Sequence, residues 1–86
     1  MRKMIEVALF KEWLSTNTSY SDAVISDIAS RMKRADNILT WEPTTIYLFK
    51  LEQSDGFKKL NVSVKSQLRR AVKCYVQFIK DTNLRK

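Results

Sequence analysis

Val62–Asp81 reads VSVKSQLRRAVKCYVQFIKD, and this stretch decides the fold. Val64, Leu68, Ala71, Val72, Tyr75, Phe78 and Ile79 recur at three- and four-residue steps, the spacing of a helix that docks one side on a core. Lys65, Arg69, Lys73 and Lys80 mark the opposite side, with Arg70 at its margin. No acidic residue occurs between Asp55 and Asp81. Such a helix is apolar where it packs and positive where it meets solvent.

The rest of the chain supplies the core that this helix needs. Met4–Ser15 predicts a first helix, with Ile5, Ala8, Leu9, Trp13 and Leu14 on its inner stripe and Phe10 widening it. The polar run Ser15–Ser19 ends it, because short hydroxyl and amide side chains compete for backbone groups. Ser19 or Ser21 caps a second helix, with Asp22 at the positive end of its dipole and Tyr20 set to staple onto Val24 or Ile25. Its inner stripe is Val24, Ile28, Met32, Ala35 and Leu39, with Ile25 and Ile38. Asp27 and Arg31 are spaced for an ion pair.

Thr40-Trp41-Glu42-Pro43 breaks that helix, since proline disfavours helical backbone at the residue before it. A third helix follows over about Thr44–Gln53, with Ile46, Leu48 or Phe49, and Leu51 inward. Ser54-Asp55-Gly56 is a turn in which Gly56 is free to take positive φ. Phe57–Leu60 reads as a short helical turn, and Asn61 or Ser63 caps the final helix. The expectation is all-α: a single domain over residues 1–86, a compact bundle of four main helices and a fifth short one.

Composition narrows the function. With 86 residues, one Gly, one Pro, one Cys and no His, the chain has neither a glycine-rich phosphate loop nor the commonest general base and metal ligand. Cys74 lies inside the apolar helix pattern and reads as a small core residue. Asp22 and Asp27 do not meet on one helical face, and Asp36 and Glu42 are separated by a helix end. The expectation is a binding protein, with no enzyme activity, cofactor, metal or small-molecule substrate. A lone cysteine and no long apolar run place it in the cytoplasm and away from membranes.

The net charge of +7 is unevenly spread. Residues 1–57 hold seven basic and eight acidic side chains; residues 58–86 hold nine basic and one acidic. A basic end on a near-neutral domain points to a polyanion, with double-stranded DNA the expected partner. Lys65, Arg69, Arg70 and Lys73 are the central contact set. Lys58 and Lys59 precede them, and Arg31, Lys33 and Arg34 form a second strip. Ser63 and Ser66 add hydroxyls. Arg69 is the candidate for a base edge, because a guanidinium can bond guanine bidentately. The same charges also suit a solvated face or an acidic protein, and Arg31, Lys33 and Arg34 also suit the negative end of the second helix. Trp41 reads as a core or hinge residue. If Trp41, Tyr47 and Phe57 are exposed, they form a surface for a protein partner or self-association.

Three segments carry a resemblance: FKEWL in the first helix, SRMKRADNIL at the end of the second, and SQLRRAVKCYVQFI in the last. Together they resemble the N-terminal SAM-like core-binding domain of phage integrases, the tyrosine recombinases. Phe10, Trp13 and Leu14, Tyr20-Ser21, Arg31 to Arg34, Arg70-Ala71, Tyr75 and Phe78-Ile79 fall at the matching positions. The resemblance implies a helical clamp on DNA with the second and last helices near the duplex. It also implies a separate catalytic domain carrying an Arg-His-Arg-Tyr set, which these residues do not include. The alternative is a small protein-interaction module, such as a phage-encoded regulator of a host protein.

Overall fold

A computed structural model describes residues 5–42, 44 and 46–82. Five helices follow in order: α1 Val7–Asn17, α2 Asp22–Ile38, α3 Tyr47–Gln53, α4 Asp55–Lys58 and α5 Val62–Thr82. The chain is an all-α bundle, and no strand occurs among the described residues. Three helices are long and two short, so the expected third helix of Thr44–Gln53 is trimmed at its start. Pro43, Thr45 and the expected first residue Met4 lie outside the described residues.

The ends follow side-chain chemistry. Ser21 Oγ accepts the Val24 N–H at 3.3 Å, which selects it over Ser19 as the α2 cap. Asn61 Oδ1 accepts the Val64 N–H at 2.9 Å and starts α5. Contrary to the expectation that Ser15–Ser19 stop α1 early, the helix runs on to Asn17. These residues back-bond to the last turn: Asn17 Nδ2 donates to the Trp13 carbonyl at 2.9 Å and the Thr18 hydroxyl to that of Leu14 at 2.6 Å. They add a second donor in the last turn, where the Leu14 carbonyl also accepts the Thr18 N–H at 3.0 Å.

α5 is the spine. Its buried residues are Leu68, Ala71, Val72, Tyr75, Phe78 and Ile79, the side read from sequence. α2, α1 and α3 all pack on it. Tyr75 is the centre of an aromatic cluster, edge-on to Phe10 at 4.9 Å and to Trp41 at 4.9 Å, and 5.3 Å from Phe78. Its hydroxyl accepts the Glu6 N–H at 2.9 Å, and burial pushes the phenol pKa up. Trp41 in turn packs edge-on against Tyr47 at 4.8 Å.

Several inner faces are rotated from expectation. On α1, Phe10 and Leu14 are buried while Ala8 and Leu9 face solvent. Insertion of the Phe10 ring between Tyr75 and Phe78 turns the helix by about one residue, roughly 100°. On α3, Tyr47 and Leu51 point inward, whereas Ile46 is 54% exposed and Phe49 63% exposed. The Tyr47 hydroxyl accounts for this. It lies 2.5 Å from the Leu39 carbonyl and 3.2 Å from that of Ala35, so it serves the open C-terminal end of α2 from inside the bundle. Trp41, Tyr47 and Phe57 are all buried, which removes the aromatic docking surface they would have formed.

Asp36 was expected on no inner stripe, yet it is only 7% exposed. Its carboxylate accepts the Trp41 N–H at 2.7 Å and ties the turn after α2 back onto the helix. Gly56 also differs from expectation. It lies within helical α4 and does not use its freedom to take positive φ. Its lack of a side chain serves close approach, since a Cβ here would stand 3.0 Å from Ile38 Cγ2. The short turn begins two residues earlier than Phe57 because Ser54 Oγ caps it, accepting the Phe57 N–H at 3.4 Å.

Candidate nucleic-acid interface

The outer side of α5 is set by its inner side. At roughly 100° per residue, Lys65, Arg69, Lys80 and Lys73 fall within an arc of about 80°, and Arg70 lies about 60° beyond Lys73. Ser66 and Gln77 are exposed in the interval between Lys73 and Arg70. Lys65, Arg69 and Lys73 climb the helix in steps of about 6 Å.

Neighbouring elements border this arc on both flanks. On one side stand α3 and α4. Arg69 Nε donates to Glu52 Oε2 at 2.6 Å, and the guanidinium lies 5.5 Å from the Phe57 ring centroid. The Lys65 ammonium is 6.0 Å from the same ring, at the outer limit of a useful cation–π contact. On the other side stand Tyr20 and α2. Arg70 lies 5.0 Å over the Tyr20 ring. Hydrogen bonding to the Tyr20 side chain raises the guanidinium pKa above its ordinary value. Arg31 Nε donates to Gln67 Oε1 at 2.8 Å.

Arg31 therefore turns toward α5 and makes a cross-helix bond, while the expected ion pair with Asp27 does not form. Asp27, Arg31, Gln67 and Arg70 line one shallow groove between α2 and α5. A second open groove is lined by Tyr20, Ser66, Arg69, Arg70, Lys73 and Cys74. Its charged walls are all cationic.

The expected contact residues are thus partly gathered. Lys65, Arg69, Arg70 and Lys73 share one face, and Arg31 joins them through Gln67. Lys33 does not: it lies about 160° around α2 from Arg31, whereas Arg34 is about 60° away. The three therefore form no single strip. α2 continues to Ile38, so its last turn carries no basic residue, and a dipole role for the three loses its basis. Lys58 and Lys59 are exposed at the end of α4, one short turn before α5.

Cys74 is half-buried at the groove edge and is less enclosed than expected of a core residue. Burial raises its pKa, and Arg70 offsets this only in part. The thiol is protonated near neutral pH. Among the described residues, no three Cys, Asp or Glu side chains gather as a metal-ligating group. No described helix is long and apolar enough to cross a membrane.

Sequence reasoning missed the partners of the arginines: Glu52, Phe57, Tyr20 and Gln67. Glu52 and Arg69 are 17 residues apart on different helices, and no local spacing rule links them. No protein-family model, curated protein or solved structure matches this chain.

Proposed function

We propose that the chain is a duplex-DNA-binding helical domain, similar in kind to the SAM-like core-binding domain of an integrase and serving DNA recombination or integration. It binds through the outer face of α5 and performs no chemistry of its own. One observation carries this reading. The outer side of the longest helix holds Arg70, Lys73 and Lys80 exposed and Lys65 and Arg69 half-buried beside them, with no acidic residue between Asp55 and Asp81. Such an arc on a rigid, core-packed helix holds cations at fixed spacing, which phosphate contact requires. The face also favours duplex over single strand. Single strands are held by bases stacking on free aromatic rings, and here the Phe57 ring is buried and the Tyr20 ring carries Arg70.

Titration of labelled duplex at two salt concentrations tests the reading. Binding is expected near 50 mM salt and should weaken steeply toward 200 mM, by about 10³-fold for six phosphate contacts. Charge reversal at Lys65, Arg69 and Lys73 together should weaken binding far more than reversal at Lys3 and Lys11. Absence of binding at the lower salt rejects the reading, and an equal effect of the two sets moves the surface away from α5. A second reading, a protein-interaction module or small regulator of a host protein, is favoured by two exposed apolar side chains, Ile46 before α3 and Phe49 on it.

A further inference from the structure

The cations on the α5 face are of two kinds. Lys73 and Lys80 are exposed. The arginines are held: Arg31 by Gln67, Arg70 by Tyr20, and Arg69 by both Glu52 and Phe57. Arg69 has the firmest hold, since a 2.6 Å hydrogen bond to a carboxylate is short even for a charge-assisted pair. Glu52 comes from α3 and Phe57 from α4, so two elements outside α5 fix one side chain upon it.

A carboxylate beside a phosphate-binding face would by itself weaken binding. Its place against the central arginine of the arc points to a compensating role. A guanidinium has five N–H donors in one plane. Glu52 takes the Nε donor and leaves the two Nη groups, on a side chain that is still 41% exposed. An arginine ordered before its ligand arrives loses less freedom on binding.

We infer that Glu52 is a positioning residue: it holds Arg69 by Nε so that the Nη edge meets a phosphate or a guanine edge of the duplex. The inference rests on the DNA-binding reading above. The rival role is that Glu52 occupies Arg69 in place of phosphate and must be displaced. The two differ in sign once the charge is set aside. Glu52→Gln and Glu52→Ala both remove the charge, and only glutamine keeps an oxygen acceptor for Nε.

The experiment compares these two variants, each checked for helical content by circular dichroism. Anisotropy titration with labelled duplex is expected to show Glu52→Ala about 3- to 10-fold weaker than Glu52→Gln, the range of a lost hydrogen bond. In an Arg69→Ala background the two should bind alike. A second readout needs no DNA: the Nε–H order parameter of Arg69 should stay above about 0.6 in the wild type and in Glu52→Gln and fall below it in Glu52→Ala. Equal binding of the two variants, tighter binding by Glu52→Ala, or a gap that persists without Arg69 overturns the inference. Wild-type protein that ignores duplex at low salt rejects the DNA reading. The Arg69 order parameter then still decides the positioning role, and a mobile wild-type Nε overturns it.

Discussion

Replacing Arg70 and Lys73 together by alanine removes two charges from the exposed side of α5 and leaves its buried side intact. Six cations border this face: Lys65, Arg69, Arg70, Lys73 and Lys80 on α5, and Arg31 tied to Gln67. If each meets one phosphate, the logarithm of the binding constant should fall with the logarithm of salt at a slope of about −5.4, taking 0.9 per contact. Four contacts remain in the double variant, for a slope of about −3.6. Between about 50 and 200 mM salt the wild type should lose roughly 1,800-fold in affinity and the variant roughly 150-fold. Fluorescence anisotropy with labelled duplex across that range measures both slopes. Stability should change little, since neither side chain is buried in the core and surface substitutions stay within about 0.5 kcal/mol. A variant slope equal to the wild-type slope refutes the assignment of this face, as does a wild-type slope near zero.

Further outcomes test the fold. Tyr47→Phe should lower stability by about 1–2 kcal/mol in denaturant unfolding, because the Leu39 and Ala35 carbonyls lose their hydroxyl donor. By contrast, Phe49→Ser should cost under about 0.5 kcal/mol, and Phe57→Ala about 3–5 kcal/mol. A large loss at Phe49 would reverse the orientation assigned to α3. Gly56→Val should destabilise by about 1–3 kcal/mol through overpacking against Ile38, and Ile38→Ala in that background should recover part of the loss. Alkaline pH should also unfold the protein. Burial raises the Tyr47 and Tyr75 pKa values above the ordinary 10.0, so above that pH the unfolded chain releases protons that the folded chain keeps. Stability is therefore full below about pH 10 and falls as pH rises beyond it, less steeply in Tyr47→Phe.

What was legible in the sequence was what repeats locally. α5 shows both of its faces because seven apolar residues recur at helical spacing, and α2 shows its cap because Ser21 precedes Asp22. What was not legible depends on partners far along the chain. Leu9 and Phe10 are equally apolar, and only the Tyr75 and Phe78 rings decide which of them turns inward. Tyr47 and Phe49 pose the same problem on α3. There the outcome follows from a hydroxyl that reaches two carbonyls of α2, which periodicity cannot register. Asp36 reads as a surface carboxylate until the chain folds back and presents the Trp41 N–H. The site follows the same division. The positive arc is written in one helix, whereas the grip on Arg69, Arg70 and Arg31 is assembled from α3, α4, Tyr20 and Gln67.

The Tyr75 cluster on the inner side of α5 has a consequence for whatever settles on its outer side. The element that would hold the ligand also carries the centre of the core, with α1, α2 and the Trp41 turn all anchored to it. It cannot swing or unwind to accommodate a partner without dismantling the bundle. A bound partner must therefore accept the surface as a rigid die. Its binding energy should appear almost whole as resistance to global melting, leaving little for any local adjustment. Amide exchange along the middle of α5 should slow by the same factor that the partner adds to overall stability.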